Sequence, residues 1–235
     1  MFKLFIIGIY LSISIANAYV VAMPIQNFSP QYQVKADKKS GFLPIILKKF
    51  SKDKGVELKI VSLPVKRYIQ MVIDGKVDFI LPDNKTWLHN DNLKKFIFSD
   101  PIMQSRVSYF SHEENSKSIK DIKSIATISG YTLDYFSKEI KNKKIKVNEL
   151  QKIESLMSFI NQKRADLGYF HDDILEDYLL RNKKLKLKKR SDIKSDLFTY
   201  HLSTIKHPEI INQFNQWMKE NQSWIKEKKE HYLID

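Results

Sequence analysis

Gly75-Lys76-Val77-Asp78-Phe79-Ile80-Leu81-Pro82-Asp83-Asn84-Lys85-Thr86-Trp87 and, after a polar run, Phe96-Ile97-Phe98-Ser99-Asp100-Pro101-Ile102-Met103 form the stretch around which the chain is arranged. Gly75 marks the end of a helix, because glycine readily takes the left-handed conformation there. Asp78 to Leu81 reads as a short buried strand. Pro82 is expected to break that strand into a polar loop carrying Asp83, Asn84 and Trp87. Open α/β sheets hold ligands beyond the C-terminal ends of their strands, which makes this loop a candidate ligand edge. Asp83 also suits an ordinary turn, whereas a Trp in a polar loop asks for a reason.

Upstream the chain alternates strand and helix. Tyr19 to Met23 is a short apolar run ending at Pro24, followed by the loop Gln26-Asn27-Phe28-Ser29-Pro30-Gln31-Tyr32. Leu43, Ile46, Leu47 and Phe50 fall at helical spacing between Gly41 and Gly55. Glu57 to Leu63 reads as a strand. Val65, Tyr68, Ile69, Val72 and Ile73 give the next helix one apolar face, with Gly75 just beyond. This β-α-β-α-β order predicts an α/β fold, a parallel sheet with helices on its faces.

Downstream, Arg106 to Phe110 alternates, and Ser111 to Lys123 turns polar and charged, as at a domain boundary. A second series then opens at Ile125-Ala126-Thr127-Ile128 and Ser129-Gly130-Tyr131-Thr132. Arg164-Ala165-Asp166-Leu167-Gly168-Tyr169 echoes Gly75-Lys76-Val77-Asp78-Phe79-Ile80. It leads into a matching polar loop with Phe170, His171 and Asp172. Leu197 to Leu202 is a last strand, and Ile210, Ile211, Phe214, Trp217 and Met218 stripe a terminal helix.

Composition narrows the functional classes. Lys3, the apolar run Leu4 to Ile15 and Ala16-Asn17-Ala18 form the three parts of a cleavable export signal over residues 1–18. That apolar run is shorter than the ~20 residues a membrane span needs. The chain has no Cys, which removes lipid anchoring, thiol catalysis and thiolate metal sites. A soluble periplasmic protein, stabilised by its core and not by disulfides, is the expectation. The formal charge of +13 comes mostly from scattered Lys residues and reads as a solvated basic surface. No zinc spacing or aromatic-basic strand signature points to nucleic acid. The six His residues show no i, i+4 pair, so neither a metal nor another cofactor is expected.

In order along the chain stand the Phe28-Ser29-Pro30 loop, the Gly75 to Asp78 turn, Phe98-Ser99-Asp100-Pro101, Ser129-Gly130-Tyr131-Thr132 and Arg164-Ala165-Asp166. With these motifs the chain resembles the periplasmic solute-binding proteins of ABC importers, family 3, whose two-lobed type II fold implies a mixed, mostly parallel sheet in each lobe. The resemblance implies a clamp with lobe one at 19–108 plus 199–235 and lobe two at 109–198, two crossing segments forming a hinge. It implies a monomer that captures a small polar solute and presents it to a membrane permease or receptor. Where the amino-acid binders of the family grip the ligand carboxylate with Arg, this chain has Asn92, with Lys94 and Lys95 nearby. Where they pair the amino group with Asp, it has His171, with Asp172 next. A planar Arg fork is not replaced by these without loss. The expected ligand is therefore amino-acid-like and polar, but not a standard α-amino acid.

Each further candidate has two readings. Phe28 and Tyr32 either stack on a ligand or pack in lobe one. Arg67 and Arg106 either hold an anion or sit in surface ion pairs. Ser129, Gly130, Tyr131 and Thr132 are expected to open a helix, whose N–H groups would suit an anion or simply be capped. Tyr169, His171 and Asp172 belong to the second polar loop. An enzyme of the cyclohexadienyl-dehydratase type on the same fold, drawing on His171, Asp172 and Asp83, is the alternative to a binding protein. A ligand-sensing module for a membrane receptor is another.

Overall fold

The computed structural model describes residues 18–35, 38–88 and 94–232, with the backbone alone described for Val34, Lys35, Lys38 and Lys66, whose side chains are not among the described groups. Apart from Ala18, the expected export signal lies outside the described residues, and so do His89 and Asn92.

The strands are β1 (Tyr19–Pro24), β2 (Gln33–Lys35), β3 (Lys38–Ser40), β4 (Leu58–Leu63), β5 (Phe79–Asp83), β6 (Ile97–Phe98) and β7 (Met103–His112), then β8 (Ser124–Ile128), β9 (Lys146–Leu150), β10 (Leu167–His171), β11 (Leu187–Lys189) and β12 (Asp196–Thr204). They follow the order β4-β1-β5-β12-β7-β10-β8-β9, with β6 on β12 and β11 on β7. β1 is parallel to both β4 and β5, and β10 and β9 are both parallel to β8. The two parallel halves meet through antiparallel β12 and β7. This is the two-lobed α/β architecture that the family resemblance implied, with the parallel pairing expected from the alternating strand and helix pattern.

Alternation along the strands builds each core. Val21 and Met23 of β1, with Phe79 and Leu81 of β5, bury against Phe42, Ile46, Phe50, Phe214 and Trp217. Ala22 and Ile80 point the other way, onto Tyr68, Val72 and Phe96. Successive strand side chains alternate faces, so each strand serves two layers. The helices Phe42–Lys54 and Pro208–Glu220 cover the first face, and Tyr68–Ile73 the second. Each fully buried aliphatic or Phe side chain is worth roughly 1.5–3 kcal/mol over exposure. The second half repeats the plan, with Ile125, Leu167 and Tyr169 packing on Leu133, Phe136 and Ile145.

The repeated turn motifs have one structural job. Asp78 Oδ2 accepts the N–H of Val20 at 2.7 Å, so the turn before β5 is tied to β1. Asp166 Oδ2 accepts the N–H groups of Lys123 and Ser124 at 2.8 and 3.0 Å, which ties the turn before β10 to β8. Backbone bonds run back the other way, from Asp78 N to Val20 O and from Asp166 N to Ser124 O.

The two lobes join at β12, whose residues 196–200 pair with β7 and whose residues 201–204 pair with β5 and β6. Ser99 pins the crossing: its N–H donates to Leu202 O at 2.8 Å, and its hydroxyl accepts Leu202 N at 3.0 Å. Among the described residues, no helix is long and apolar enough to cross a membrane.

Two local expectations are corrected. β5 does not end before Pro82 but runs through it to Asp83, opposite His201 of β12. A proline fits where the ladder does not need its missing N–H. Ser129 and Gly130 form a turn and Tyr131 and Thr132 have no regular structure, instead of a helix start, and the first helical turn is Asp134–Phe136. Two of their N–H groups are used locally, Ser129 N on Leu150 O and Tyr131 N on Ile128 O. The β2–β3 hairpin is an addition that the sequence pattern did not announce.

Candidate functional site

Aromatic rings from both lobes enclose a cavity of ≈ 200 Å³ beyond the C-terminal ends of β5 and β10. That is below the ~300–1,000 Å³ of drug-sized ligand pockets, so it suits a small solute.

The loop after β1 supplies Phe28. Backbone bonds of 2.8 Å run both ways between Phe28 and Tyr32. Phe42 N and Leu43 N, the first N–H groups of the helix Phe42–Lys54, donate to Pro30 O and Gln31 O at 3.2 and 3.0 Å. Gly41 permits this approach: its φ is +103°, and a Cβ there would lie 2.8 Å from the Pro30 and Gln31 carbonyl oxygens. Phe28 is thereby held 5.7 Å from the Phe170 ring and 6.2 Å from His171.

Asp83 ends β5 as a buried carboxylate, 4% exposed. It accepts the Asn84 N–H at 2.8 Å and the Ser203 hydroxyl. Burial pushes its pKa up to about 6, and these two bonds only partly oppose the rise. Among the described residues it has no ion-pair partner. Asn84 caps the turn Lys85–Trp87, accepting Thr86 N at 2.8 Å, and donates to Thr199 O at 2.7 Å. It positions Trp87, whose ring lies 5.6 Å from Phe198 and 5.7 Å from Tyr200.

From the second lobe come Tyr131, Tyr169 and His171. Tyr131 lies 5.4 Å from His171 at 74°. Tyr169 donates its hydroxyl to Asp196 at 2.5 Å. His171 is 3% exposed, and burial lowers its pKa to about 3, so it is neutral near pH 7. Gln31 Nε2 donates to Asp173 Oδ2 at 2.7 Å and to Ser105 Oγ at 3.0 Å. Ser105 Oγ in turn lies 2.8 Å from His171 Nδ1. His171 Nε2 lies 3.2 Å from Tyr200 Oη. Asp173 is also pushed up to about 6 by burial, against the bond from Gln31.

Of the sequence candidates, Phe28, Asp83 and Trp87 line the cavity on one side and Gly130, Tyr131, Thr132, Tyr169 and His171 on the other. Six stand away from it. Tyr32 is buried in the core, with its hydroxyl 2.7 Å from Ser62. Asn84 is a capping residue, as above. Arg67 is exposed. Arg106 is exposed too, because it alternates outward on β7, and Nη1 donates to Ser195 at 3.2 Å. Ser129 donates to Glu149 at 2.8 Å. Asp172 is paired with Lys189. Lys94 and Lys95 are exposed.

Sequence reading missed Tyr68, Phe198 and Tyr200, all of which line the cavity. Phe198 and Tyr200 are two apart on β12 and therefore share a face, a signal that the alternating run Leu197 to Leu202 carried. Tyr68 was hidden in an apolar helical stripe; its hydroxyl is buried with no hydrogen-bond partner among the described residues. Among the described residues, no three His, Asp or Glu side chains gather as a metal set.

Residues 19–233 match the family model described as bacterial extracellular solute-binding proteins, family 3. No curated relative matches by sequence. In three dimensions the chain is similar to the substrate-binding protein of an amino acid ABC transporter, with TM-score 0.74 and 20% identity over 92% of this chain and 99% of that one. It is similar to the arginine-, lysine-, histidine-binding protein ArtJ from Geobacillus stearothermophilus, with TM-score 0.75 and 14% identity over 92% and 95%. An ancestral amino acid-binding protein, described as a precursor of cyclohexadienyl dehydratase, aligns with TM-score 0.72 and 20% identity over 92% and 95%. At these identities the likeness is one of fold.

Proposed function

Because the chain belongs to the bacterial extracellular solute-binding proteins of family 3, we propose that it captures a small solute between its lobes in the periplasm and delivers it to an ABC-type permease. The observation that carries this reading is the cavity at the lobe junction, walled by rings from both halves. Ligand contacts on both halves favour a closed state by differential affinity, which is what a delivery protein needs.

The described lining contains no Arg or Lys to grip a carboxylate. The reading is therefore of a binding protein whose ligand differs from the amino acids of its structural neighbours. Binding alone accounts for the polar groups present: His171 is neutral and already bonded, and Asp83 is tied to Ser203 and Asn84.

Thermal-shift measurement across a broad metabolite panel tests the reading. A solute that binds only the folded chain at 100 times its Kd adds about 2.7 kcal/mol and raises Tm. At least one polar solute is expected to do so without being converted. A flat response at millimolar concentrations, or turnover of a panel member, overturns it.

A further inference from the structure

The cavity's chemistry narrows the ligand class further, taking the solute-binding reading as given. Five rings follow one another around it: Phe28 to His171 at 6.2 Å and 52°, His171 to Tyr200 at 6.1 Å and 76°, Tyr200 to Trp87 at 5.7 Å and 60°, and Trp87 to Phe198 at 5.6 Å and 56°. Neighbours inclined this steeply form the walls of a box instead of a flat stack. A box of aromatic walls attracts positive charge through the ring quadrupoles, and alkylated ammonium ions are the group such cages hold.

Charge and hydrogen bonding agree. Asp83 lines the cavity as a buried carboxylate, and no cation among the described residues pairs with it. A buried charge without a counter-ion is costly, and a ligand cation would supply one. Lys85, the nearest cation in sequence, is exposed and lies over Phe98, 5.6 Å from the ring centre. A primary ammonium would bring three N–H donors that all need acceptors. Here the carboxylate oxygens already take Ser203 and Asn84, and most of the wall is carbon. An alkylated ammonium makes no such demand. The Tyr68 hydroxyl, without a partner among the described residues, leaves one polar contact, suited to a ligand hydroxyl or carbonyl. A ligand carboxylate would meet Asp83 with no described Lys or Arg in the lining to receive it.

We propose that the cleft takes a compact organic cation, its charge on an alkylated ammonium group and with no carboxylate.

The test is titration calorimetry of the full chain with choline, tetramethylammonium, the neutral choline isostere 3,3-dimethylbutan-1-ol, glycine betaine, L-arginine and L-glutamate. Choline or tetramethylammonium is expected to bind at least tenfold tighter than the neutral isostere and than glycine betaine. Asp83→Asn should lower cation affinity at least tenfold more than it changes that of the isostere. The comparison of choline with its isostere on the unaltered chain needs no variant to fold. Equal binding of the two, tighter binding of an amino acid, or no binding of either cation at millimolar concentration overturns the inference. Tight binding of L-arginine or L-glutamate would sink the cation inference alone and leave the solute-binding reading standing. That reading fails instead if the metabolite panel is flat or a member is turned over.

Discussion

Gln31 and Asp173 are joined across the cleft: the Gln31 amide, on the loop after β1, donates to Asp173 Oδ2 at 2.7 Å at the start of the helix after β10. The same amide reaches Ser105, and through it His171. Loop one is thus latched to lobe two by a buried polar chain, beside the Phe28 to Phe170 ring contact at 5.7 Å. A hydrogen bond of this kind favours the lobe arrangement that makes it.

Gln31→Ala removes the latch and leaves Asp173 buried without its partner. That costs roughly 1–3 kcal/mol in the closed arrangement. Coupling of that size changes the closed-to-open ratio by roughly 5- to 150-fold. Small-angle X-ray scattering of the ligand-free chain should show a larger radius of gyration for the variant. An unchanged profile would mean the latch does not set the lobe arrangement.

Asp83 sets a pH dependence whose sign is determined by its raised folded-state pKa. That value is about 6 against 3.8 when solvated, so the folded chain keeps a proton which the unfolded chain has released. Its contribution to stability is full below about pH 4 and is lost as pH rises through 6. The span corresponds to at most about 3 kcal/mol. Urea melts should therefore show Asp83→Asn gaining on the parent between pH 5 and pH 8. His171, lowered to about 3, acts with the opposite sign, its stabilisation lost as pH falls below 6.5. It cancels in the comparison because both proteins carry it. A parent-to-variant difference independent of pH would refute the assignment.

Asp78 and Asp166 are staples, not ligand groups. Burial works against the ionised form of Asp166, but the bonds from Lys117, the Lys123 N–H and Ser124 outweigh it and hold its pKa below the usual range. Replacing either Asp with Ala should cost roughly 1–3 kcal/mol of stability, because strand N–H groups lose their acceptor. Ligand affinity should stay within twofold by calorimetry, as expected for a site not touched. A large affinity loss with normal stability would place one of them in the binding machinery.

Gly41→Ala is expected to loosen the loop that carries Phe28 and Gln31. The added Cβ would sit 2.8 Å from two carbonyl oxygens at a φ of +103°. Left-handed placement of a residue with a Cβ and overpacking each cost on the order of 1–3 kcal/mol. Hydrogen exchange should speed up at Phe28 and Tyr32, whose amides bond each other's carbonyls. Unaltered exchange there would show that the loop is held by other contacts.

Much of this architecture was legible in the residue pattern. The helix-turn-Asp-strand motif occurs twice, with Gly75 at positive φ in the first turn and Lys163 in the second, and both Asp residues prove to tie strands together. Period and turn residues revealed the two parallel halves, because backbone geometry enforces them locally. The site was legible only where a loop announced itself: Phe28, Trp87 and the 169–171 segment were found, whereas Tyr68 and Tyr200 looked like core. A buried aromatic facing a cavity and one facing another side chain carry the same local signal. Arg106, open between an anion role and a surface role in the sequence, stands away from the cavity. Alternation along β7 decides its direction, and it points to solvent. Asp83 was read as a polar loop residue because Pro82 suggested a break, yet the pairing of β5 with β12 carries the strand past it.

The central claim, that one small solute is held between the lobes, is tested most directly by native mass spectrometry of the chain after incubation with a metabolite extract. The account predicts a single 1:1 adduct that is stripped on unfolding and is lost in Tyr200→Ala, which opens the aromatic wall. A chain that stays free of adduct, while a component of the extract is chemically converted, would contradict it.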